Sequence, residues 1–222
     1  MNRTAVVAGA TGLIGKELVN MLLNETAYSE ITLIVRRSTG IKHPKLSEKI
    51  INFDQLEKVD INLSGADVFC TLGTTIKKAG SQEAFRLVDN MYPLSLGRMA
   101  KKFGARSFLV VTSMGANPLS RMFYIRVKGE TEQALRGLDL PALYIFRPSL
   151  LLGEREEFRL GERITSLLFN VLSPLFIGPL RKYSPIMSLA VAKAMVLSAK
   201  RDQPGIYIYE AEQIKKIADT NQ

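Results

Sequence analysis

The chain holds one cysteine, one histidine and no tryptophan among 222 residues. With Cys70 alone no internal disulfide can form, and its apolar run, ADVFCTLG, suits a small packed side chain in a reducing compartment better than a nucleophile. His43 sits in the polar loop IKHPKL, which rules out a His-based triad or multi-histidine metal site, and no other cluster has metal-ligand spacing. Long apolar runs are also missing. The longest, ITSLLFNVLSPLFI from Ile164 to Ile177, is shorter than the roughly 20 residues of a spanning helix and contains Pro174. The first strand-like run starts at Thr4, leaving no room for a leader's charged region and apolar core. A cytoplasmic protein without a transmembrane segment is expected. Basic residues outnumber acidic ones, for a net charge of +9, yet they are spread along the chain without interleaved aromatics. That argues against nucleic acid and leaves anionic small molecules or an anionic membrane surface.

What is present is alternation. TAVVA, EITLIV, KIINF, ADVFCTL, RSFLVVTS, PALYIFRP and GIYIY read as buried strands. KELVNMLLNE, QEAFRLVDNMYPLSLGRMAKKFG, FYIRVKGETEQALRGL and SLAVAKAMVLSAKR read as helices between most of them. This predicts a single α/β domain with a doubly wound, Rossmann-type parallel sheet covered by helices on both faces. Residues from about 152 to 184 break the pattern and read as a small lobe on the substrate side.

Between the first strand and first helix lies GATGLIG: Gly9, Ala10, Thr11, Gly12, Leu13, Ile14 and Gly15. In a doubly wound sheet this turn faces the carboxyl edge, where a dinucleotide diphosphate can meet the free N–H groups of a helix start. Three glycines alone are weak; the strand before them and the helix after them add weight. The second strand ends at Arg36 and Arg37, where a carboxylate would select NAD. Guanidinium groups there favour NADP(H) over NAD(H) by pairing with a 2'-phosphate, although a solvated strand end explains them too. Asp54 in NFDQ stands where adenine could be read, or is an ordinary turn aspartate. In CTLGTT, Leu72, Gly73 and Thr74 lead towards the second ribose, or form only a loop.

Further along, VVTSMGANPLSRMFYIRVKGETE puts Ser113 at a strand end and Tyr124 and Lys128 one turn apart on the next helix. An ammonium beside a phenol favours phenolate and eases proton exchange. Ser113 would hold a substrate oxygen while hydride arrives, and Lys128 would hold the nicotinamide ribose. A lone Y-x-x-x-K also arises by chance on amphipathic helices; its order after the glycine turn and the strand-end serine gives it meaning.

GATGLIG, TSMGA, YIRVK and RPSLLLGER together resemble a short-chain dehydrogenase/reductase of the extended or atypical type, over nearly the whole chain. CTLGTTIKKAGSQEAFRLVDNMYPLSLGRMAKK and FYIRVKGETE followed by FRPSLLLGERE are similar to the Tat-interacting-protein-like, NAD(P)-binding oxidoreductase branch. The resemblance implies NADP(H) in a Rossmann cleft, a Ser113, Tyr124, Lys128 triad, and Arg147, Pro148 and Ser149 flanking the nicotinamide. Two departures stand out. Relatives often carry an asparagine on the long helix, where VDNMYPL offers Asp89 or Asn90 in undetermined register. Where relatives start a helix with D-V-A, this chain has Leu189 in SLAVAKA, a change expected to touch a cap or partner contact.

Beside the nicotinamide, the apolar 164–177 run allows core packing, an apolar substrate pocket, or docking on a partner or membrane. Arg155, Arg159, Arg163, Arg181 and Lys182 border it and suit solvent, an acidic group or lipid headgroups. The expectation is an NADP(H)-dependent oxidoreductase acting on a carbonyl or alcohol of a small, apolar molecule. The alternative is an NADP(H)-binding regulatory or sensor protein working through partners; a third reading is a peripheral membrane protein. Family resemblance adds a homodimer paired through long helices.

Overall fold

The computed structural model describes residues 2–152 and 184–220. Most of the expected lobe, with its apolar run and bordering arginines, lies outside them. In chain order the elements are β1 (Arg3–Ala8), α1 (Leu13–Asn24), β2 (Tyr28–Val35), β3 (Leu46–Ile50), a 3-10 segment (Phe53–Lys58) and β4 (Asp67–Cys70). Then come α2 (Ile76–Ala79), α3 (Gln82–Arg86), a π-helical turn (Leu87–Met91), α4 (Tyr92–Lys102), β5 (Ser107–Val111), α5 (Phe123–Arg136) and β6 (Ala142–Arg147). Short β7 (Leu151–Leu152) and β8 (Ile186–Met187) pair with each other, and α6 (Ser188–Lys200), β9 (Gly205–Glu210) and α7 (Ala211–Asp219) complete the described chain.

Seven strands form one parallel sheet in the order β3-β2-β1-β4-β5-β6-β9. Period-two alternation divides their side chains between two cores. Val7, Leu33, Phe69, Leu109 and Tyr144 pack under α1, α6 and α7. Val6, Ile34, Val68, Phe108 and Ile145 pack under α4 and α5. The doubly wound Rossmann-type α/β fold anticipated from the alternation is therefore present, and its strand order reverses between β1 and β4. Ala8 and Cys70 lie side by side at that carboxyl edge, so the turn after β1 and the loop after β4 share one crevice.

Two local expectations differ. The sequence places the third strand at KIINF, but β3 begins at Leu46 and ends at Ile50, since LSEKI supplies the register with β2 while the apolar pair 50–51 sits at the sheet's open edge. The helix AEQIKKIAD was not anticipated. Its Ala211, Ile214, Ile217 and Ala218 are buried, and Glu210 and Gln213 form a reciprocal cap at its start. At α6, Met187 precedes the helix with no side-chain cap and Leu189 is exposed, in keeping with the departure noted at SLAVAKA.

At the opposite, amino edge a single carboxylate ties four strands. Asp67, fully buried at the start of β4, accepts from Arg3 Nη1 (3.1 Å), Tyr28 OH (2.7 Å), Arg106 Nε and Nη2 (3.0 and 2.9 Å) and Ser107 Oγ (2.7 Å). These donors come from β1, β2, and the entry to β5. Burial, with Asp67 next in effect, raises the Tyr28 phenol pKa far above its usual value and keeps it a donor. Removing one partner of such a buried cluster strands the rest. Asp67→Ala is expected to cost about 3–5 kcal/mol and to lower the melting temperature by roughly 10 °C, read by thermal denaturation. An unchanged melting temperature would contradict this role.

Candidate functional site

The crevice at the switch point starts with a steric constraint. Gly9 has φ +92°, and a Cβ on it would lie 2.6 Å from the Thr71 carbonyl carbon and oxygen. A Cβ on Gly15 would lie 2.1 Å from the Gly9 oxygen. These two glycines are demanded by the protein itself: the ends of β1 and β4 and the first turn of α1 are in direct backbone contact. Gly12 differs. A Cβ there would come no nearer than 3.4 Å to any neighbouring atom, its φ of −77° suits any residue, and it is exposed.

Gly12 opens α1 without a side-chain cap, and no acidic residue occupies the first helical turn. The helix start therefore points uncapped amides and the positive end of its dipole into the crevice. This is the donor set of an anion site, and the bare face of Gly12 leaves room for a diphosphate to approach the backbone. Ala10 and Ile14 are buried supports, Leu13 is half-buried and Thr11 exposed.

Arg36 and Arg37 are exposed just beyond β2, where the distal end of a dinucleotide would lie in this fold. Asp54, in the 3-10 segment, is engaged: Tyr92 OH donates to its Oδ1 at 2.6 Å, and the Tyr92 ring packs on Phe53 with centroids 5.3 Å apart. Burial, then Asp54, pushes the Tyr92 phenol up to about 12. Leu72, Gly73 and Thr74 form the loop after β4.

Two of the candidate proton-handling residues, Tyr124 and Lys128, lie on α5. Ser113 follows β5, buried, and its Oγ has no hydrogen-bond partner among the described residues. Such a hydroxyl is costly to bury and is suited to receive an outside oxygen. Tyr124 is half-buried in the first turn of α5, its ring 5.5 Å from that of Phe85. Lys128, one turn on, is buried, with Nζ 2.7 Å from Asp89 Oδ1. Burial opposes the ammonium, but Asp89 and the facing Tyr124 phenol outweigh it, and the Lys128 pKa is raised above the ordinary lysine value. The other Asp89 oxygen accepts from the Thr74 N–H at 2.9 Å, which ties the lysine to the loop after β4.

The π turn settles the register left open by VDNMYPL. A regular α-helix sets neighbours about 100° apart. The wide turn buries both: Asp89 meets Lys128, and Asn90 Nδ2 donates to Thr131 Oγ1 at 2.8 Å. Pro93 has no N–H for the Asp89 carbonyl four residues earlier, and the Thr131 hydroxyl reaches that carbonyl instead at 3.0 Å.

Residues outside the glycine and Y-x-x-x-K motifs tie α5 to its neighbours. Glu132, one turn beyond Lys128 and buried, accepts from Thr112 Oγ1 (2.6 Å) and from Arg147 Nε and Nη2 (2.9 and 2.6 Å). Arg147 also pairs with Glu210 at 2.9 Å. Its guanidinium is thus directed into α5 and the start of α7. Those carboxylates, Glu132 first, raise its pKa further despite burial. The Tyr124, Lys128, Glu132 spacing was the signal available for this link. Pro148 accepts from the Met114 N–H at 3.0 Å, and Ser149 Oγ donates to the Ser184 carbonyl at 2.6 Å. Among the described residues there is no cluster suited to a metal ion, and no helix is long and apolar enough to cross a membrane.

Comparison with known proteins agrees with this geometry. A family model described as NAD(P)H-binding matches residues 9–167. Protein HTATIP2 of Rattus norvegicus is 35% identical over 175 residues, covering 77% of this chain and 72% of that protein. The mitochondrial protein FMP52-1 of Scheffersomyces stipitis is 31% identical over 227 residues, covering 96% of this chain and 98% of its own length. Among solved structures, the Bordetella bronchiseptica enzyme WbmH in complex with NAD+ superposes with a TM-score of 0.69 at 17% identity, over 99% of this chain and 80% of that one. MoeE5 in complex with UDP-glucose and NAD gives 0.68 at 15%, over 97% and 80%. These two share the fold. With the glycine turn, the strand order and the matched sequence in agreement, the chain belongs to the NAD(P)H-binding family, among relatives of HTATIP2.

Proposed function

We propose that the chain is an NADP(H)-dependent oxidoreductase that interconverts a carbonyl and an alcohol on a small, apolar molecule. The observation that carries the reading is the uncapped start of α1 beneath the open face of Gly12, which supports a diphosphate there. Arg36 and Arg37 support the 2'-phosphate form over NAD(H). When bound, the reduced coenzyme would donate hydride to the carbonyl carbon, and its oxidised form would accept hydride from the alcohol carbon in the reverse direction.

The chain's residues then divide the remaining work. Ser113, whose hydroxyl has no partner among the described residues, donates to the substrate oxygen and orients the carbonyl. Tyr124 gives its phenolic proton to that oxygen as charge builds on it and regains a proton from solvent; in reverse, the phenolate takes the alcohol proton. Lys128 holds its ammonium between the phenol and the ribose, kept in place by Asp89. Leu72, Gly73, Thr74, Pro148 and Ser149 would line the nicotinamide half, and Asp54 the adenine end. Cys70, buried and unpaired, supports the cytoplasm, whereas the fungal FMP52 relatives are named as mitochondrial.

A nucleotide sensor acting through partners is the second reading, favoured by Leu119 and Met122. They are 90% and 67% exposed on the loop leading to Tyr124. Turnover separates the two. Over a panel of aldehydes, ketones and quinones, NADPH oxidation is expected with the native chain and to fall roughly 10²- to 10⁴-fold in Tyr124→Phe. No turnover on any substrate, or equal turnover by the variant, would leave the sensor. Replacing both Arg36 and Arg37 with Ala is expected to weaken NADPH about tenfold or more while leaving NADH nearly unchanged, read by calorimetry. Equal losses would contradict the phosphate assignment.

A further inference from the structure

The arginines proposed to hold a 2'-phosphate stand on a loop whose anchorage has no part in the chemistry above. β2 ends at Val35, Arg36 and Arg37 follow as an exposed bend, and irregular chain runs on to β3 at Leu46. We infer that Glu48, in the middle of β3, is a positioning residue for coenzyme selectivity: by gripping Ser38 and Thr39 it holds Arg36 and Arg37 where the 2'-phosphate of NADP(H) would meet them. The inference rests on the proposed preference for NADP(H).

The grip is a set of side-chain bonds. Ser38 Oγ donates to Glu48 Oε2 at 2.6 Å, the Thr39 N–H donates to Oε1 at 2.9 Å, and the Thr39 hydroxyl donates to that same oxygen. The two hydroxyls accept in turn from the backbone beyond, Ser38 Oγ from the Gly40 N–H at 3.2 Å and Thr39 Oγ1 from the Ile41 N–H at 3.3 Å. Among the described residues, 36–42 make no backbone–backbone hydrogen bond, so this cluster is what fixes the first half of the loop. Its donors, Ser38 first and Thr39 next, hold the Glu48 carboxyl below the ordinary carboxylate range and keep it an acceptor at neutral pH.

Register turns that grip into a position. Glu48 stands opposite Leu33, two residues before β2 ends. For Ser38 and Thr39 to reach it the chain must double back at Arg36 and Arg37, which therefore form the apex of the reversal. Released, the apex would sample many conformations, and ordering it on binding would cost affinity. The same bonds settle a conflict of charge. A carboxylate so close in the chain to two guanidinium groups would ordinarily pair with them and compete with a phosphate. Both Glu48 oxygens are instead taken by Ser38 and Thr39, and neither arginine has an ion pair among the described residues. The charge of Arg36 is felt by the Tyr92 phenol, where it partly counters burial and Asp54; this puts Arg36 on the side of the proposed adenine end.

Calorimetric titration of NADPH and NADH into the full chain tests the inference, because two roles for the carboxylate predict opposite signs. In Glu48→Ala, NADPH affinity is expected to fall about tenfold and NADH affinity to change less than about twofold. A carboxylate that only opposed the phosphate would, once removed, leave NADPH bound more tightly. A gain, no change, or an equal loss for both coenzymes overturns the inference. Action through the arginines is tested by coupling: in a chain already carrying Arg36→Ala and Arg37→Ala, Glu48→Ala is expected to change NADPH affinity less than about twofold. A further loss of similar size there overturns it. Should Glu48→Ala fail to fold, Ser38→Ala with Thr39→Val removes the hydroxyl donors from the other side of the grip; the same loss of NADPH selectivity is expected, and unchanged selectivity overturns the inference equally. A native chain with equal affinity for the two coenzymes removes the phosphate reading itself, whereas a native preference for NADPH that survives Glu48→Ala removes only the role of Glu48.

Discussion

Everything in the crevice follows from a backbone contact that tolerates no side chain. The end of β1 at Gly9 rests against Thr71 after β4, and the first turn of α1 rests on Gly9 through Gly15. Because these segments touch as bare backbone, α1 starts at the switch point of the sheet and its amides point into the crevice. Gly12 lies outside that contact. Its exposed, unencumbered face is therefore better explained by a ligand than by packing, and this distinction carries more than the count of glycines does.

Two buried aspartates divide the labour of the molecule. Asp67 gathers Arg3, Tyr28, Arg106 and Ser107 at the amino edge, where its five bonds serve the sheet. Asp89 faces the carboxyl side, where its two oxygens join the lysine of α5 to the loop after β4. The first is saturated by donors from within the protein. The second holds a lysine one helical turn from a half-buried phenol, while Ser113 after β5 has a buried hydroxyl with no partner among the described residues.

The fold was legible because its signals are local and repeated. Apolar strands alternate with helical patterns, and the glycine turn falls between the first pair. The placement of Ser113 just after a strand, and of Tyr124 and Lys128 one turn apart on a helix, was legible for a similar reason. Asp89 was not assignable against Asn90 because a π turn changes the register by a fraction of a turn, and no periodicity in LVDNMYP announces it. Arg147 is read from the resemblance as flanking the nicotinamide; that its guanidinium meets Glu132 and Glu210, partners 15 and 63 residues away, was not legible. Such a link depends on the packing of α5, β6 and α7, which short motifs do not encode. The β3 register and α7 were missed because each is short and at the margin of the sheet.

The central claim is that the open face of Gly12 receives a coenzyme diphosphate. It is tested most directly by calorimetric titration of NADPH into the native chain and Gly12→Ala. The account predicts binding by the native chain and a loss of roughly tenfold or more, about 1.4 kcal/mol, in a variant whose melting temperature is unchanged. Equal affinity in the two proteins, or no affinity of the native chain for NADPH or NADH, would contradict it.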